Sequence, residues 1–141
     1  MLIFTRDLPE CPLDTVHDQE LIWDHGYGYS NVEALIRADQ VQKGTHITAK
    51  VLDYRGKQEF AAELPAKADR VVADSISQCI DHGECFYAVK ENEIAEDSIL
   101  ELGNVIKNPY IGRTNDEQIA VADQTGIAIQ DIQIAKLVSG V

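Results

Sequence analysis

The chain has 141 residues, 45% of them hydrophobic and 26% charged, with 24 acidic and 12 basic side chains giving a formal net charge of −12. That length suits one domain, residues 1–141, and is too short for two comfortable ones. Nucleic-acid binding needs a basic footprint that is missing here, and no apolar run approaches the roughly 20 residues of a membrane span. The three cysteines, Cys11, Cys79 and Cys85, are an odd, low number, and no basic region precedes the short apolar run at the N-terminus. Both features fit a reducing, cytoplasmic setting.

Short β-rich runs alternate with helical patterns, which predicts an α/β protein with a mostly parallel sheet and flanking helices in three layers. Leu2 to Thr5 reads as a strand, Leu13 to Gln19 as a short helix and Leu21 to Trp23 as a second strand. His25 to Tyr29, with two glycines, reads as a loop. Val32 to Gln40 supplies one helical turn or two, and Thr45 to Leu52 is the next strand. Leu64 to Ala68 follows as a short helix with Pro65 at an early position.

Arg70 to Ala73 is a buried-type strand. Asp74 or Ser75 then caps a helix from Ile76 to His82 that stops at Gly83. Cys85 to Val89 is apolar, and periodicity alone leaves strand and helix open. Ile99, Leu102, Val105 and Ile106 recur at helical spacing, giving a helix over Ser98 to Ile106 that ends before Pro109. Gln118 to Asp123 is the last strand, and Ile127 to Val138 the last helix.

Four features carry candidate chemistry. His46 to Glu59 is a strand running into a glycine turn, with Asp53 where a ligand-facing carboxylate would sit at the end of a parallel strand; acids also simply cap turns. Cys79-x2-His82-x2-Cys85 offers thiolate and imidazole ligands, but three groups in seven residues do not close a tetrahedral zinc site. Buried, ordinary cysteines are the plainer reading. In the loop Gly112 to Glu117, Arg113 could clamp an anion or pair with Asp116. The loop His25 to Tyr29 could line a pocket. No Gly-x-Gly-x-x-Gly, Walker or Gly-x-Ser-x-Gly motif occurs in these residues.

The run His46-Ile47-Thr48-Ala49, Asp53, Gly56-Lys57-Gln58-Glu59 resembles the ornithine cyclodeaminase/mu-crystallin family, in which His-Ile-Asn leads to a glycine-rich Asp and Gly-Lys-x-Glu. The stretch from Ala68 to Ser75, Gly103, Gly112-Arg113-Thr114, Asp116-Glu117 and Asp123-x-x-Gly126-x-Ala128-x-Gln130-Asp131 follow in the family's order. The match is strong over about Ala34 to Val138. It implies a partial Rossmann-like fold and an NAD(P) site acting on amino or imino acids. Asp53 would then be the catalytic acid/base. Lys57 and Gln124 would contact the cofactor, and Thr125 would lie beside nicotinamide and substrate.

The departures matter equally. The resemblance implies a preceding βαβ unit with the phosphate-seating glycine loop, and a substrate domain, neither of which these residues contain. Val51 and Leu52 replace a small glycine pair, and Thr48 replaces Asn.

The leading expectation is therefore a truncated relative that has lost dinucleotide-dependent catalysis and serves as an oligomeric binding or scaffold protein, with no cofactor of its own. Its open sheet edge calls for self-assembly, with Leu2-Ile3-Phe4 as the candidate edge or swapped strand and the apolar face of the final helix also needing a partner, giving a homo-oligomer. The second expectation is a small amino-acid-like ligand or substrate bound around Asp53, Lys57, Arg113 and His46, with the site completed across a subunit interface and NAD(P) retained if the family chemistry persists. The third is an interaction module for a separately encoded partner.

Overall fold

The computed structural model describes residues 2–4, 21–23, 34, 36–50, 58–126 and 128–140. The expected helix at Leu13 to Gln19, the loop His25 to Tyr29, and Asp53 and Lys57 lie outside them. Among the described residues six strands form one sheet: β1 Leu2–Phe4, β2 Leu21–Trp23, β3 His46–Lys50, β4 Arg70–Ala73, β5 Leu100–Glu101 and β6 Ala120–Gln124, in the order β2-β1-β3-β6-β4-β5. The block β3-β6-β4-β5 is parallel throughout, as the alternating strand and helix pattern predicts.

The edge beside β3 is covered from within the chain. β1 lies antiparallel to β3, with Leu2 opposite Ala49 and Phe4 opposite Ile47, and β2 lies antiparallel to β1. β1 thus takes the place of the edge strand expected at Leu2 to Phe4, giving the backbone groups of β3 on that side an intrachain partner.

Ile47, Ala49, Val71, Ala73, Val121 and Asp123 are buried, while Thr48, Val72 and Ala122 between them are only partly so. This period-two alternation defines a packed face and a less covered one. The packed face carries two apolar clusters. One joins Ile47, Ala49 and Val121 to Phe60, Leu64, Ile36 and Val41; the other joins Val71 and Ala73 to Cys79, Cys85 and Ile99. Helices α1 (Glu63–Lys67), α2 (Ile76–His82) and α3 (Cys85–Lys90) supply their outer walls.

Cys85 to Val89, ambiguous by sequence, is thus helical. The helix expected from Ser98 begins later: residues Leu100–Glu101 pair with β4, and α4 covers Leu102–Lys107. Lys67 ties α1 to the preceding segment through bonds from its Nζ to the carbonyls of Ala38 and Val41, both 2.6 Å. Lys67→Met keeps the aliphatic stem and removes both bonds. It is expected to cost about 1 kcal/mol, read as a lower urea midpoint at unchanged m.

The final helix, α5, runs over Ala128–Ser139. Ile132, Ile134, Leu137 and Val138 are exposed, Leu137 and Val138 by more than 80%. At about 100° per residue, Ile132 and Ile134 point roughly 200° apart, so the helix is apolar on more than one side.

Candidate ligand site at the carboxyl edge of the sheet

In parallel α/β sheets, ligands gather where strands end and loops begin. Here β4 and β6 end side by side, with Ala73 in register with Asp123. The residue after β4, Asp74, is 6% exposed and is tied to the end of β6. Its Oδ1 accepts from the Ser75 amide at 2.8 Å, the Thr125 amide at 3.2 Å and the Thr125 hydroxyl at 3.2 Å. Its Oδ2 accepts from the Gly126 amide at 3.0 Å. The Asp74 amide donates in turn to the Asp123 carbonyl at 3.0 Å. A carboxylate with this many donors pins the β6–α5 turn to the end of β4.

Sequence reading gave Asp74 or Ser75 the task of capping α2. Ser75 takes the cap position but makes no side-chain cap bond, and the Ile76 amide is met instead by Glu101 Oε2 at 3.1 Å. Asp74 is freed for the longer reach.

The turn itself is shaped for exposure. Gly126 has φ +81 and no heavy atom within 4 Å of where a Cβ would sit, a backbone state that favours glycine. Gln124 is half-buried at the strand end. Thr125, expected as a substrate contact, follows it in the turn. It is buried, and its hydroxyl faces inward to Asp74 and to Gln78 Oε1 at 3.0 Å.

Beneath the edge lies a buried polar group that the sequence places in the family's order without giving it a role. Asp123, fully buried, accepts from the Cys85 amide at 2.9 Å through Oδ2, while its Oδ1 makes no hydrogen bond. Burial raises its pKa above the ordinary carboxylate range, partly offset by the Cys85 amide. Glu84, 1% exposed, accepts from the Glu59 amide through both oxygens at 3.0 Å and from the Phe60 amide at 3.3 Å. Burial pushes its pKa up to about 8 against those donors.

Cys79 and Cys85 are free thiols buried beside these acids. Burial and the Asp123 charge hold both well above the ordinary thiol range, which keeps them protonated and unreactive. His82 lies beside Asp81, at 3.4 Å. Among the described residues no group of three His, Cys, Asp or Glu is arranged to hold a metal ion.

Arg113 and His46 sit at the other end of the sheet. Arg113 donates to the carbonyls of Asn115, Gly44 and Asp116 at 3.0, 3.3 and 3.0 Å, bracing the loop before β6 against the segment leading into β3. His46 opens β3, with its Nε2 3.1 Å from Thr48 Oγ1; burial, then the nearby Arg113 charge, lowers its pKa. The length of β3, roughly 13 Å over four residue steps, separates this pair from the strand's carboxyl end, after which Asp53 and Lys57 follow in sequence. The structure therefore brings Gln124 and Thr125 together with Asp74, and places Arg113 and His46 elsewhere.

A mostly parallel sheet with flanking helices defines a Rossmann-like α/β fold. The family model for the ornithine cyclodeaminase/mu-crystallin family matches residues 15–140, and the chain belongs to that family. It is 41% identical over 105 residues to an alanine dehydrogenase of Archaeoglobus fulgidus, covering 74% of this chain and 32% of that protein. It is 36% identical over 109 residues to the iminosuccinate reductase of Paracoccus denitrificans, covering 77% of this chain and 33% of the relative.

The crystal structure of that reductase in complex with NAD+ superposes with a TM-score of 0.69 at 35% identity, over 77% of this chain and 33% of the other. A Thermococcus litoralis Δ1-pyrroline-2-carboxylate reductase in complex with NADH and L-proline gives 0.70 at 27% identity, over 77% and 34%. The chain spans about a third of the length of the curated relatives it matches.

Proposed function

We propose that this chain supplies the nicotinamide- and substrate-facing wall of an NAD(P)-dependent site for amino or imino acids, and works as a binding domain within an assembly rather than as an enzyme by itself. The observation that carries this reading is the Asp74 clasp, which fixes Gln124, Thr125 and Gly126 at the strand ends where such ligands bind. The edge fits the group: Gly126 leaves open space where a side chain would stand, and Gln124 remains partly exposed. A bound cofactor would donate a hydride to the substrate carbon when reduced, or accept one from it when oxidised.

Reductases and dehydrogenases with NAD+ or NADH among the similar structures support the cofactor class. The 141 residues contain no Gly-x-Gly-x-x-Gly, so the adenosine and pyrophosphate half of the ligand has no fingerprint loop in this sequence to seat it. NADH and reduced nicotinamide mononucleotide are therefore expected to bind with affinities within about threefold of each other, near the millimolar end of the scale. Isothermal titration with both compounds tests this. Absence of saturable binding of either compound contradicts the reading, and so does NADH binding a hundredfold tighter.

The assembly rests on α5, whose apolar side chains on more than one side call for a covering surface. Leu137→Asp is expected to turn an oligomer into a monomer by light scattering while leaving monomer stability within about 0.5 kcal/mol. A wild-type chain that is already monomeric and soluble contradicts self-association and points to a separately encoded partner. A ligand site built on Arg113 and His46 finds no support, since Arg113 is committed to backbone carbonyls away from the carboxyl edge.

A further inference from the structure

We infer that Asp74 is a positioning residue for the ligand wall, holding the Gln124–Gly126 turn so that the ligand meets the Gln124 side chain and the Gly126 backbone, while the Thr125 hydroxyl serves the clasp and not the ligand. This deepens the cofactor reading above and rests on it. Four donors from three residues converge on the two oxygens of one carboxylate. They come from Ser75 beside it and, across the sheet, from Thr125 and Gly126, 51 and 52 residues away in sequence. The Cys79 thiol adds a fifth, longer contact at 3.5 Å.

The Thr125 hydroxyl has two inward acceptors, Asp74 Oδ1 and Gln78 Oε1. A hydroxyl has one proton, so it has none left for a ligand. Gly126, by contrast, is exposed, with open space where a Cβ would stand. Its N–H is held by Asp74 Oδ2, so what it offers a ligand is the Cα and carbonyl side of the backbone, without an intervening side chain. The chemistry this wall fits is a flat, polar ring bearing a carboxamide: the Gln124 amide can both donate to and accept from such a group.

Asp74→Asn tests the assignment, because it keeps the shape but turns an amide NH2 toward the Gly126 N–H or the Thr125 donors. The experiment pairs hydrogen–deuterium exchange of the whole chain with NADH titration. In wild type, the Thr125 and Gly126 amides are expected to exchange slowly, comparably to Val121 and Ala122 within β6. In Asp74→Asn they are expected to speed up at least tenfold with β6 unchanged, and NADH affinity to fall about tenfold. Thr125→Val, which retains the backbone donors, is expected to weaken NADH only about twofold.

Equal loss of NADH binding in Thr125→Val and Asp74→Asn overturns the proposal, because the hydroxyl would then touch the ligand. Unchanged exchange at Thr125 and Gly126 in folded Asp74→Asn also overturns it. Should that variant not fold, fast exchange of these two amides in wild type is by itself enough to do so. If wild type binds no NADH, the cofactor reading fails, and the exchange arm still decides whether Asp74 fixes the turn.

Discussion

Wild-type stability is expected to fall as pH rises from about 5 to about 8, and Glu84→Gln to remove most of that slope. Glu84 is only 1% exposed, and its folded pKa stands at about 8 against an ordinary 4.5. Between those values the unfolded chain has released the proton and the folded chain keeps it. The native state thus binds more protons, so stability declines with pH. The contribution is fully present below about 4.5 and is lost as pH passes through about 8.

The displacement corresponds to roughly 3–5 kcal/mol across the window. Burial is the largest cause; the Glu59 and Phe60 amides oppose it, and the Glu59 and Asp123 charges reinforce it. Asp123 is displaced in the same direction, with burial again the first cause. Urea midpoints at pH 5 and pH 8 measure the effect. A wild-type curve that is flat between them, or a full slope surviving in Glu84→Gln, contradicts this assignment.

Gly83→Ala is the second large effect, expected to cost about 3 kcal/mol. A Cβ at Gly83 would stand 2.6 Å from Asp123 Oδ2, 2.7 Å from Cys79 Cα and 2.8 Å from the Cys79 carbonyl oxygen. Two of those atoms are backbone of α2 and cannot swing aside. The third belongs to a carboxylate held by the Cys85 amide. Thermal unfolding should show a drop of several degrees or more for a domain of this size. An unchanged midpoint would mean that the α2–α3 junction relaxes freely. Sequence reading placed a glycine stop here as a helix C-cap, the usual reason being a left-handed backbone. With φ −88, Gly83 is not left-handed, and what demands glycine is the close approach of the Cys79 backbone together with Asp123.

That contrast shows where legibility ended. β4 and the extent of α2 followed from local signals: adjacent valines, Ser75 at the cap and a glycine stop. β6 was displaced only slightly, from Gln118 to Asp123 to the observed Ala120–Gln124. The family order carried the fold further than any single motif, because several short matches in sequence are unlike chance.

What stayed hidden were the partners of the buried carboxylates. Nothing local marks Glu84 as buried, since its amide donors lie 24 and 25 residues earlier. Nothing near Asp74 announces donors 51 and 52 residues later. Cys85 to Val89 was ambiguous because five apolar residues fit either period; its packing with α2 in the second cluster settles it as helix. The chemistry of Arg113 leaves an anion clamp and a pair with Asp116 both open; it lies 3.7 Å from Asp116 Oδ1, and its carbonyl partners are visible only in three dimensions.

The central claim is that the carboxyl edge at Gln124 to Gly126 is a ligand wall for the nicotinamide half of a dinucleotide. Its most direct test is an amide-resolved NMR titration of the intact chain with NADH. Saturable shifts concentrated at Gln124, Thr125, Gly126 and Asp74, reproduced by reduced nicotinamide mononucleotide, are the expected result. Shifts confined to the Gly44–His46 and Arg113 end of the sheet, or none at all at ligand concentrations near 10 mM, which is weak even on a millimolar scale, would contradict it.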